Sequence, residues 1–157
     1  MRNGLPPAPA FRPTATPQER AAIRLARLIA TRQHEMEQVL KPFGLTIIQY
    51  NALRILNGAG PDGLCGIDLA ARLISKAPDV PRLLDRMAEA GLIARERDPD
   101  NRRFVRARIT PAGVGRLIDA APAITALHRH HWRHVSREQL DALVALLDQT
   151  GASGRPG

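Results

Sequence analysis

A mainly α-helical fold carrying one small β wing is what this sequence predicts, and three observations predict it. Four segments open with helix-capping chemistry, at Thr16-Pro17-Gln18-Glu19, Thr46-Ile47-Ile48-Gln49, Thr110-Pro111 and Ser136 to Gln139. Two short amphipathic stretches, Ile67 to Ile74 and Asp79 to Ala90, stand on either side of a break at Ser75 to Pro78, the pattern of a helix-turn-helix. Leu92 to Arg97 and Arg103 to Ile109 flank the turn Asp98-Pro99-Asp100-Asn101-Arg102, which reads as a hairpin with a charged tip.

Taken in order, residues 1–15 are rich in Pro and Ala and carry no periodic pattern, so a disordered arm is expected there. A helix then runs from Thr16 to about Leu40, where Pro42 and Gly44 stop it, and a second from Thr46 to about Asn57. The glycine-rich stretch 58–66 reads as a loop. Gly91 follows the second helix of the pair, where a helix end wants a residue free to take positive φ. The helix capped by Thr110 continues through a histidine-rich stretch, with a kink expected at Pro122. Leu140, Leu143, Val144 and Leu147 fall at offsets 0, 3, 4 and 7 of the last helix and form one apolar stripe. Residues 16–150 are expected to form one domain, with a disordered tail at 151–157.

Charge narrows the function. Lys and Arg outnumber Asp and Glu by 23 to 15, a net charge of +8, and only Lys41 and Lys76 are lysines. Such an excess favours a polyanion, because phosphates release counterions when cations neutralise them. An acidic membrane would satisfy the same charge, but no run of about 18 apolar residues exists. The start, MRNGLPPAPAFRPTA, lacks the apolar core of a signal peptide, so a soluble cytoplasmic protein with no membrane partner is expected. Aromatic residues make up 3% of the chain, too few for stacking single strands, which leaves double-stranded DNA. Residues 72–108 hold ten cations against six anions, half of the net charge, on the helix pair and hairpin.

The segments LTIIQYNALRIL, IDLAARL and PRLLDRMAEAGLIARERDPDNRRFVRARITPAG resemble the MarR family of winged helix-turn-helix transcriptional regulators across residues 45–113. The Gly91-Leu92-Ile93 helix end, the DPDNRR turn and the exit Ile109-Thr110-Pro111-Ala112-Gly113 carry most of the likeness. The resemblance implies a homodimer, held by dimerisation helices at 16–41 and 111–149, whose recognition helices enter successive major grooves. It implies Arg103 in the minor groove and Arg102 and Arg106 on phosphates, with Lys76 among the DNA contacts. On the recognition helix it makes Asp79, Val80, Arg82 and Arg86 the candidates, and Arg82 suits a guanine edge because a guanidinium pairs with O6 and N7 together. Leu83, Leu84 and Met87 are expected in the core. Pro81 stands where the family tends to carry Ser or Thr, which requires it in the first helical turn with Asp79 as the cap. Leu140, Leu143, Val144 and Leu147 become dimer contacts, and a pocket for a small, often aromatic or phenolic, effector is implied between the dimerisation helices and the DNA-binding lobe. The implied function is a ligand-responsive repressor acting on a pseudo-palindromic operator. A sequence-indifferent architectural DNA-binding protein is the alternative.

Other signals have plainer explanations. Gly58 to Gly63 matches GxGxxG, yet it follows a capped helix, and Pro61 removes a donor that a phosphate would need. His130 and His134 share a helical face and are the candidates for a metal, but no carboxylate lies in the run 128–134 and its arginines repel a dication. A solvated or dimer-lining face is expected there, with no cofactor. Cys65, the single cysteine, is a redox candidate only if its thiolate is stabilised, and small apolar packing is the commoner role. With no HExxH, GxSxG or paired CxxC, catalysis has no residues to use, and an enzyme is not expected.

Overall fold

Thr16 opens the first helix, α1 (Pro17–Leu40), by accepting a hydrogen bond from the Glu19 N–H at 3.1 Å. The computed structural model of the chain describes residues 16–74, 79–97 and 105–152. The chain forms two compact units, residues 1–35 and 36–157, with the boundary inside α1. In the first, Arg32 and Glu35 pair at 3.1 Å, one helical turn apart, while Ile23, Leu25, Leu28 and Ile29 are exposed.

The second unit continues through a 3-10 turn (Lys41–Phe43), α2 (Ile47–Gly58), β1 (Leu64–Cys65), α3 (Gly66–Arg72), α4 (Val80–Glu89), β2 (Ile93–Arg97), β3 (Val105–Ile109), α5 (Pro111–Trp132) and α6 (Arg137–Ala152). The capping residues read from the sequence act as caps. Thr46 and Gln49 exchange both bonds of a capping box, and Ser136 and Gln139 do the same at α6. The Ser136 hydroxyl, 2.6 Å from Glu138 Oε2, also holds that carboxyl below the usual carboxylate range. A depressed folded-state value means that this support of the α6 start is present above the ordinary carboxylate range and is lost as pH falls through the lowered value.

One element departs from expectation. Within the stretch expected to be a loop, Leu64–Cys65 forms a strand, and the sheet has three antiparallel strands in the order β1-β3-β2. Leu64 pairs with Ala107 and Cys65 with Arg106, while Ile93 pairs with Ile109 and Arg97 with Val105 on the other side of β3. Helix α5 runs through Pro122 without interruption.

The core is built by apolar stripes from α2, α3 and α4 meeting the sheet and α5. Leu40, Leu53, Leu56, Leu69 and Met87 are fully buried, and Ala120 and Ile124 close the α5 side. The end of α4 and the start of α5 are tied at one corner. Gly91 takes φ +68, its N–H bonds the Ala88 carbonyl, and the Leu92 N–H bonds the Met87 carbonyl, completing a Schellman stop. Thr110 Oγ1 donates to the Gly91 carbonyl at 2.6 Å and accepts from the Gly113 N–H at 3.1 Å. A Cβ at Gly113 would lie 2.2 Å from the Leu92 carbonyl oxygen and 2.8 Å from Ile109 Cγ1. Gly113→Ala is therefore expected to cost about 1–3 kcal/mol through overpacking, read as a lowered urea midpoint at unchanged m-value.

Candidate nucleic-acid interface

Helix α4 divides cleanly into two faces. Val80, Leu83, Leu84 and Met87 recur at 0, 3, 4 and 7 and are all buried, whereas Arg82, Asp85, Arg86 and Glu89 are exposed. Asp79 accepts from the Arg82 N–H at 2.9 Å, so its carboxylate caps the helix, and Pro81 sits in the first turn where a missing N–H costs nothing. Val80, a candidate for base contact by sequence, is corrected to a core residue. It is 9% exposed and lies over Gly66 at the start of α3, so it seats the helix.

Two acids near this surface are engaged by cations of the sheet. Asp85 pairs with Arg95 of β2, and Glu96 pairs with Arg108 at 3.1 Å across the sheet. Among the described residues, no acid pairs with Arg82 or Arg86. Two guanidinium groups one helical turn apart thus stand on the exposed face of α4 without an ion-pair partner among the described residues. Arg106, the expected phosphate contact, is half-buried, and its Nη1 donates to the Asp62 carbonyl at 3.4 Å, tethering the loop before β1. Asn51 Oδ1 of α2 accepts from the Ile74 N–H at 3.3 Å and holds the end of α3. Lys76, Arg102 and Arg103 lie outside the described residues.

The remaining candidates fall elsewhere. Helix α6 contributes no buried residue among those described. Leu140 and Leu143 are half-buried, Val144 and Leu147 are exposed, and Leu146 widens the apolar face beyond the stripe expected. Cys65 is half-buried with Sγ 3.1 Å from Asp68 Oδ2, at the edge of an apolar cleft of about 340 Å³ between α3, α4 and the sheet. His134 lies past the end of α5 at Trp132, so, against expectation, it does not share a helical face with His130; Arg133 contacts both, its Nε donating to His134 Nε2 at 2.9 Å and its Nη1 2.8 Å from His130 Nε2. A guanidinium therefore lies against both rings, and among the described residues no group of three or more His, Cys, Asp or Glu could hold a metal. The glycine stretch 58–63 follows a helix and precedes β1, the reverse of the strand-to-helix order that a dinucleotide loop needs. Among the described residues no helix is long and apolar enough to cross a membrane.

Sequence inspection alone missed β1, which is two residues long, and the Asp85–Arg95 pair, whose members lie on different elements. It also missed Val80, although the signal was present: the residue completes the apolar stripe of α4.

Known proteins share both the sequence and the arrangement. A family model described as MarR family matches residues 43–103. A MarR transcription factor from Planctomyces limnophilus is 33% identical, the alignment covering 88% of this chain and 99% of that one, with a TM-score of 0.66. AbsC, a MarR family transcriptional regulator from Streptomyces coelicolor, is 28% identical over 90% of this chain and 97% of its own, with a TM-score of 0.77. The HTH-type transcriptional repressor IacR of Pseudomonas putida is 24% identical over 124 residues, covering 79% of this chain and 73% of the relative.

Proposed function

This chain belongs to the MarR family of transcriptional regulators, and we propose that it is a sequence-specific repressor that binds duplex DNA as a homodimer and releases it when a small effector binds. The observation that carries the reading is the exposed face of α4, where no acid among the described residues pairs with Arg82 or Arg86, while Asp85 and Glu96 pair with Arg95 and Arg108. A helix presented in this way suits a major groove, and an unpaired arginine suits a guanine edge. The repressor sense follows the likeness to IacR.

Two faces support a dimer. Apolar side chains are exposed on α1 (Ile23, Leu25, Leu28, Ile29) and on α6 (Val144, Leu146, Leu147), surface that a second subunit would cover. In this reading the two copies of α4 meet one side of the DNA, at half-sites about 34 Å apart, one helical turn. An aromatic or phenolic effector that alters this spacing would lower operator affinity, with no metal required. The family controls transcription rather than catalysing a reaction, and no catalytic group is assigned.

The test is selection from a random duplex library by the purified protein. The reading expects a consensus of two inverted half-sites with centres one helical turn apart. Recovery of unrelated duplexes at equal frequency would favour an architectural protein. On the selected duplex, Arg103→Ala is expected to weaken binding about tenfold without loss of the dimer, as for a minor-groove contact at the wing. Unchanged affinity would remove the wing from the mechanism.

A further inference from the structure

The geometry points to a specificity device that rests on the DNA-binding reading above: we propose that the Asp85–Arg95 ion pair fixes the recognition helix to the wing strand and keeps Asp85 away from Arg82. Asp85 follows Arg82 by three residues, within reach along a helix surface for a local pair. Left alone, that carboxylate would fold back on the reading guanidinium and neutralise it. Instead it is taken by Arg95 of β2, ten residues on and in a different element. Arg95 projects from the sheet face that also carries Ile93 and Ala107, both buried, and so reaches α4 from beneath. Its stem borders the cleft lined by Val80, Leu84 and Val105.

The pair is poorly placed to serve stability. The Arg95 and Asp85 side chains are 31% and 54% exposed, and ion pairs so open to water contribute little to folding. What the pair does supply is direction: it joins the helix that reads bases to the hairpin that flanks them.

Two accounts of Asp85, one through the ion pair and one through its charge alone, predict opposite signs. The experiment measures the affinity of the full-length protein for the library-selected duplex and for a scrambled duplex, with Asp85→Asn, Arg95→Gln, Arg95→Lys and the double variant Asp85→Asn/Arg95→Gln. Removing a negative charge by Asp85→Asn should tighten binding to both duplexes equally if the residue acts only through charge. The proposal expects about tenfold weaker binding to the selected duplex and equal or tighter binding to the scrambled one. Arg95→Gln should show at least as large a loss of discrimination, Arg95→Lys should recover most of it, and the double variant should be no worse than Arg95→Gln alone. Thermal melts should coincide with wild type. A wild-type ratio of affinities preserved in Asp85→Asn, or losses that add in the double variant, would overturn the proposal. If the wild-type protein itself does not discriminate between the duplexes, the regulator reading falls, an outcome distinct from failure of the pair alone.

Discussion

Arg82→Ala is expected to abolish most discrimination between the selected and scrambled duplexes. A bidentate contact to guanine contributes about 1–3 kcal/mol, and a symmetric dimer makes it twice, so specific affinity should fall by about 30-fold to more than 10⁴-fold. Arg82 is exposed, and among the described residues its side chain makes no hydrogen bond or ion pair, so removing the side chain should leave the fold intact. Arg82→Lys separates chemistry from charge. It retains the cation and should keep the scrambled-duplex affinity, yet lacks the planar fork and should keep little of the specific affinity. Equal losses on both duplexes for Arg82→Ala would make Arg82 a phosphate contact.

Leu143→Asp is expected to separate the dimer into folded monomers. Leu143 is half-buried within a helix that has no buried residue among those described, flanked by exposed Val144, Leu146 and Leu147. Covering that face with a second subunit would desolvate two aspartates per dimer at a cost of several kcal/mol each, which raises the dissociation constant by about a thousandfold or more. Sedimentation should then report a monomer at concentrations where wild type is dimeric, with unchanged helical circular dichroism. DNA affinity should collapse toward that of a single half-site. A dimeric Leu143→Asp protein would exclude this face from the interface.

Most of the fold was legible in the sequence because its elements announce themselves locally. Thr46 with Gln49, Ser136 with Gln139, and Asp79 ahead of Pro81 are chemical statements about the next four residues, and each forms the bond its spacing implies. Gly91 was equally plain, since the turn it makes needs positive φ. Strand β1 was not legible, because two residues cannot display alternation and its partner lies more than forty positions away in β3. The site was legible as a charge pattern but not as a division of labour. Ten cations look alike in a sequence, and the structure separates Arg95 and Arg108, which hold acids, and Arg106, which holds the Asp62 carbonyl, from Arg82 and Arg86. Val80 stands at a position that the resemblance gives to a base contact, but in this chain it completes the apolar stripe and is buried. Family resemblance supplied the recognition helix; only side-chain geometry distinguishes the cations that hold acids or backbone from those that stand exposed.

The most direct test of the central claim is competition binding of the wild-type protein to its library-selected duplex against a scrambled duplex, followed across salt. Phosphate contacts are lost with rising salt on both duplexes, whereas base contacts persist on one. A specific regulator predicts a preference of about a thousandfold or more that is retained as salt increases. Equal affinities falling along the same steep line would contradict it.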